Sequence, residues 1–277
     1  TPDIVVGVLD SGVRYTHQDL KERMWVNEDE IASNGVDDDN DGYIDNIYGI
    51  NGANGSGDPM DNNGHGTHVS GTIAAAANDG NPHVGVAWNV RIMALKGGDN
   101  SIAWSAQIAG LQFAANEGVR VINGSFGGYG YSQSAYDAYS AGGDRGIIFP
   151  ICAQNYTSDN DQQPIYPASY DLECIISVAA TDRNDLLSTF SNYGLTSVDL
   201  GAPGTDIFSC TADSDSSYDT WDGTSMATPH VAGVLGLMLS LQPSWTVLQL
   251  REKLLSSLDV VPSLNGVTVT SGRLNAN

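Results

Sequence analysis

The sequence predicts an α/β fold of three layers, with one mainly parallel β-sheet flanked by helices on both faces. Two observations carry this. Apolar runs of strand length alternate with helix-length segments almost from end to end, as repeated βαβ units do. The strand-like runs also lack the apolar/polar alternation of a half-exposed strand, so both of their faces must be covered. No fixed-period repeat, low-complexity linker or coiled-coil heptad interrupts the 277 residues, and 1–277 is read as a single domain.

In chain order, "IVVGVL" (4–9) reads as the first buried strand, closed by Asp10. A long Gly/Asn/Asp-rich loop follows over 33–64, of a length that is usually functional. Small and apolar residues then suggest a helix near 66–77, before "RIMAL" (91–95) reads as a strand. Helix (103–117), strand "VRVI" (119–122), helix (132–141) and the strands "GIIFPI" (146–151) and "CIISVAA" (174–180) come next. Helices near 225–241 and 246–256 close the pattern. In open parallel sheets, sites form at the carboxyl ends of strands, where Asp10 stands.

Composition narrows the function classes. Eleven Lys and Arg against 33 Asp and Glu give a net charge of −22, which disfavours nucleic-acid backbones and anionic membranes as partners. No apolar run is read as approaching membrane-spanning length, so a soluble chain is expected. Cys152, Cys174 and Cys210 are too few and scattered for a disulfide scaffold or a zinc site, which leaves one pair plus a free thiol open.

The segment "GTSMATPH" (223–230) places Ser225 where a long apolar helix begins. Such a serine serves as an N-cap, or as a nucleophile beside unpaired N–H groups and the positive end of the helix dipole. "NNGHGTHVSGTIAAAA" (62–77) sets His65 between glycines at another helix start, with His68 read as structural. Asp10, His65 and Ser225 thus each occupy an element terminus with small neighbours. Acid, base and hydroxyl in that arrangement have a defined chemistry: His65 takes the Ser225 proton, and Asp10 holds the imidazole tautomer.

"VLDSGV", "NNGHGTHVSGT" and "GTSMATPHVAG" resemble the three active-site motifs of the subtilisin-like serine proteases, in that family's order of Asp, His and Ser. The resemblance spans nearly the whole chain and implies a subtilisin-like fold and a serine endopeptidase acting on polypeptides. It implies further that "ICAQNYT" supplies Asn155 as a side-chain donor to the oxyanion, with Gln154 standing where the family usually has glycine. Ser125, Phe126 and Gly127 of "NGSFGG", with Asn100, Ser101 and Ile102 opposite, are the implied edge segments that pair with an extended peptide. Trp104 and Phe126 either line an apolar pocket or fill the core. From "QQPIYPASY", Ile165 is the implied base of the primary specificity pocket, with Cys152, Ala153 and Gln154 as its wall. A branched residue there predicts a shortened pocket that favours small or medium side chains.

"DDDNDGYID" (37–45) carries Asp37, Asp39, Asp41 and Asp45 at alternating positions, with Tyr43 offering its carbonyl, the spacing of an EF-hand-like loop. Position twelve is Tyr48 rather than Glu, so the loop is not a complete EF-hand. A solvated acidic loop is the alternative. A second site, similar to the family's strong calcium loop, is implied at Asp79 with Asp19 reaching across. The expectation is therefore structural Ca²⁺. The resemblance also implies secretion, a removed propeptide or a protein inhibitor as partner, and a monomer. A peptide ligase and a non-catalytic calcium-dependent binding module remain as alternatives.

Overall fold

The protein is described by a computed structural model over residues 4–276. The chain runs β1 (Val5–Asp10), β2 (Gly49–Asn51), α1 (His65–Ala74), β3 (Arg91–Lys96), α2 (Trp104–Asn116), β4 (Val121–Gly124), α3 (Gln133–Asp144), β5 (Phe149–Cys152) and β6 (Ile175–Thr181). It continues through β7 (Leu200–Pro203), β8 (Ile207–Cys210), β9 (Tyr218–Trp221), α4 (Thr224–Leu241), α5 (Val247–Ser256), β10 (Asp259–Val260) and β11 (Gly272–Arg273). Each strand and helix expected from the sequence has a counterpart here, shifted by a few residues at its ends. The additions are short strands without an apolar run, such as "LGAP" in β7 and the largely exposed "YDTW" in β9.

Among the described residues, one nine-stranded sheet has the order β10-β11-β7-β6-β5-β4-β1-β3-β2. All its neighbours pair in parallel except β10 and β11. β8 and β9 form a separate antiparallel hairpin. The chain passes from β1 out to β2, returns through α1 to β3, then crosses β1 to β4 through α2 and reaches β5 through α3. α1 packs with α4 and α2 with α3, and both helix pairs lie on the sheet. α4 packs beside α1 over β4–β7.

The sheet interior is aliphatic on both faces: Val6, Val8, Leu9, Ile92, Leu95, Val121, Ile122, Ile151, Ile176 and Val178 are all buried. α4 corrects one sequence expectation. At 18 residues it is long and apolar enough to cross a bilayer, but it is instead the largely buried central helix of this core. Cys152, Cys174 and Cys210 are all free and buried, so no disulfide forms among them.

Candidate active site

The connections leaving the neighbouring strands β1 and β4 run to opposite sides, toward β2 and β5, and the crevice at the carboxyl ends of such strands is where these sheets hold ligands. Asp10 ends β1, Gly97–Ile102 follow β3, and Ser125–Gly128 follow β4. Asp10, Gly98–Ile102 and Ser125–Gly128, with His65, Trp104, Gln154, Tyr166 and Ser225, line a cleft of ≈ 590 Å³.

His65 reaches Asp10 because the start of α1 lies directly on the end of β1. A Cβ on Gly66 would stand 2.1 Å from the Gly12 carbonyl oxygen and 3.0 Å from Asp10 Cβ, so only glycine permits the approach. The helix start is secured by Asp61, which belongs to no sequence motif. Its carboxylate accepts from Ser11 Oγ, from the N–H groups of Asn63, Gly64 and Thr67, and from Thr67 Oγ1. His65 Nδ1 then lies 2.7 Å from Asp10 Oδ1. Asp10 Oδ1 also accepts from the Ser11 N–H, while Oδ2 is buried without a hydrogen-bond partner. Burial acts to lower the His65 pKa, but the Asp10 charge and hydrogen bond, with Asp61 behind, outweigh it and raise the pKa above 6.5.

Ser225 is the second residue of α4, so its N–H is among the first four, which have no intrahelical acceptor. The Ser225 hydroxyl donates to the Ser125 carbonyl at 3.1 Å rather than to His65. Catalytic hydrogen bonds are commonly loose without substrate. A second link depends on Pro229. Lacking an N–H, it leaves the Ser225 carbonyl free, and Ser125 Oγ donates to that oxygen at 2.9 Å. Asn155 Oδ1 accepts from the Thr224 N–H (2.8 Å) and hydroxyl (3.0 Å). This fixes the amide's orientation and leaves Nδ2 as an unspent donor beside Gly223.

The structure brings Asn100, Ser101, Ile102, Ser125, Phe126 and Gly127 together along the cleft. Trp104 and Phe126 do both things the sequence allows, lining the cleft while packing against the core. Cys152, Ala153 and Ile165 do not line the cleft: all three are fully buried, Cys152 beneath the Gln154 side chain, Ile165 behind Gly127, and Ala153 packed with Ala179 and Val198. Tyr166, absent from the sequence expectation, lines it instead. His68 is fully buried and stacks flat on Trp221 with centroids 4.6 Å apart. Burial pushes its pKa down to about 4, so it stays neutral.

Away from the cleft, the acidic loop converges differently from its spacing. Oxygens of Asp37, Asp39 and Glu30 lie within 4.8 Å of one another, a set suited to a hard cation. Glu30 escapes a motif reading because it lies outside the repeat. The Asp41 carboxylate accepts from the Tyr43 N–H and Asn46 Nδ2, and Asp45 turns away to the N–H groups of Asn34 and Gly35. The Tyr43 ring packs edge-on against Phe113 of α2 and ties the loop down. Asp19 and Asp79 are brought together by Asn81 Nδ2, which donates to both, while Tyr218 donates to Asp19 Oδ2.

Fold and site define the class: an α/β protein in which Asp10 at a strand end and His65 and Ser225 at helix starts share one peptide-sized cleft. The sequence model described as the subtilase family matches residues 1–272, and the chain belongs to that family. It is similar to subtilisin-like protease 1 of Plasmodium falciparum, 34% identical over 98% of this chain and 42% of the relative. Thermitase of Thermoactinomyces vulgaris is 34% identical over 98% of this chain and 86% of its own. Among solved structures, a cold-adapted subtilisin-like serine proteinase matches with TM-score 0.74 and 33% identity, over 98% of this chain and 86% of that one. A protease of Pseudoalteromonas arctica matches with TM-score 0.78 and 27% identity, over 99% and 88%. The chain spans less than half the length of the Plasmodium relatives.

Proposed function

We propose that this chain is a serine endopeptidase that hydrolyses extended polypeptides, with residues 1–277 acting as one catalytic domain. The observation that carries the reading is the 2.7 Å contact between His65 and Asp10, in the same cleft as a serine at a helix start. In this mechanism Ser225 Oγ attacks the scissile carbonyl and gives its proton to His65 Nε2, while Asp10 stabilises the imidazolium. Charge building on the carbonyl oxygen is met by Asn155 Nδ2 and the Ser225 N–H. The imidazolium protonates the leaving amine, and water, deprotonated by the same histidine, releases the acid. Substrate main chain pairs with Ser125–Gly127 and Asn100–Ile102 as an added strand.

Calcium belongs to the same proposal as a structural ion. Glu30, Asp37 and Asp39 would hold it at the acidic loop, and Asp19 and Asp79 at a second site. The donor set supports this: all are hard oxygens, and no Lys or Arg lies between Asp29 and Asp61. The ion would supply charge neutralisation and no step of the hydrolysis. A secreted monomer released from a propeptide completes the reading.

The test is labelling with a fluorophosphonate alongside peptide hydrolysis. Stoichiometric labelling of Ser225 with parallel loss of hydrolysis is expected. A folded protein that neither labels nor cleaves would overturn the reading.

A further inference from the structure

Gln154 combines features that the mechanism above leaves unused. It adopts φ = 84°, left-handed backbone that glycine enters freely and a side chain enters at a cost. That conformation is locked: the Gln154 N–H donates to Thr224 Oγ1 and its carbonyl accepts from the Asn192 N–H. The side chain is directed back to the cleft, where its Nε2 would stand 3.1 Å from a Cβ on Gly127 and donates to Cys152 Sγ at 3.1 Å. One Nε2 hydrogen is spent on Cys152, and Oε1 has no partner among the described residues, although Gln154 lines the cleft. No Lys or Arg side chain lines it.

The location follows from Ser225. Its hydroxyl touches Ser125 on one side of the cleft, and the neighbouring Thr224 holds Gln154 on the other. The substrate residue whose carbonyl Ser225 attacks therefore lays its side chain between Ser125–Gly128 and Gln154.

We propose that Gln154 determines specificity at that position, its Oε1 accepting a hydrogen bond from the substrate side chain. The favoured substrates carry a glutamine or lysine before the cleaved bond, both medium-length side chains ending in an N–H donor. Methionine, of similar shape without a donor, is a poorer fit, and glutamate meets the carboxamide oxygen with another acceptor. This rests on the endopeptidase reading and adds the class of residue recognised.

The experiment uses four peptides differing only in the residue before the cut: Gln, Lys, Met and Glu. They are assayed at high salt, where the long-range field of a chain carrying −22 is screened. One neutral hydrogen bond is expected to raise kcat/KM for Gln over Met about three- to tenfold. Gln154→Met, near-isosteric but without the acceptor, should bring that ratio to about one. Gln154→Gly should do the same and keep or raise the Tm, since glycine suits this φ; it guards against a variant that merely misfolds. Fluorophosphonate labelling of each variant reports the catalytic apparatus separately. Labelling with an unchanged Gln/Met ratio in Gln154→Met, or a wild type that prefers Met or Glu, overturns this proposal alone. Loss of labelling in the folded wild type overturns the endopeptidase reading and this one with it.

Discussion

At the scale of single residues, the candidate site rests on short-range partners that each side chain cannot find elsewhere. Asp10 is buried and its charge is met chiefly by His65, so the pair favours the imidazolium. Neutral imidazole is the form that accepts a proton, so kcat/KM should rise with pH through an apparent pKa above the ordinary 6.5. Asp10→Asn removes the largest raising influence and should move that midpoint down while lowering the rate. A midpoint that does not move between the two proteins would count against the pairing. Ser225→Ala should leave a folded protein without measurable hydrolysis. Asn155→Ala should lower kcat roughly 100- to 1,000-fold with little change in KM, a magnitude taken from the same donor's loss in subtilisin rather than derived from this structure. Of these residues, Asp10, His65, Ser225 and Asn155 were legible as sequence motifs. Asp61 and Glu30 were not, because a carboxylate that caps a helix or joins a cluster from outside it leaves no spacing signal.

At the scale of elements, α1 and α4 hold the site by their first turns, and each is adjusted for that task. Pro229 removes one hydrogen bond from α4 and gives the Ser225 carbonyl to Ser125. Pro229→Ala should restore the helical bond, raise the Tm, and lower kcat by loosening Ser125. Kinetics together with thermal melting checks this, and an unchanged kcat would separate Ser125 from the positioning of α4. His68 makes α1 sensitive to acid. Its pKa is lowered to about 4 by burial, so the stability it contributes is present above 6.5 and is lost as pH falls toward 4. Melting scans across that window should show the fall, and His68→Gln should flatten part of it. The helices were legible because helix-length segments rich in small and apolar residues alternate with the strand-like runs. Strands β2, β7, β10 and β11 were not, since a few residues pair only where the finished sheet offers an edge.

For the whole molecule, the dominant physical fact is charge. The acidic loop gathers Glu30, Asp37 and Asp39 in a stretch with no Lys or Arg between Asp29 and Asp61, and a bound Ca²⁺ would relieve their repulsion and order a glycine-rich segment. Free calcium about a hundredfold above its Kd should add roughly 2.7 kcal/mol of stability. Chelation should lower the Tm and open residues 33–64 to self-cleavage, while activity declines only as the chain is cut. Instant loss of activity in a folded, uncut protein would make the metal catalytic instead. The amino-acid sequence alone determined the sheet class, the order of the principal elements and the motifs of the site, because periodicity and local motifs act over a few residues. Only the tertiary structure decided which carboxylates converge in the acidic loop, that Ile165 and Cys152 lie behind the cleft wall, and that Tyr166 joins Gln154 at its surface. Those outcomes depend on close packing between segments far apart in the chain, where fractions of an ångström decide which side chain is covered and which faces solvent.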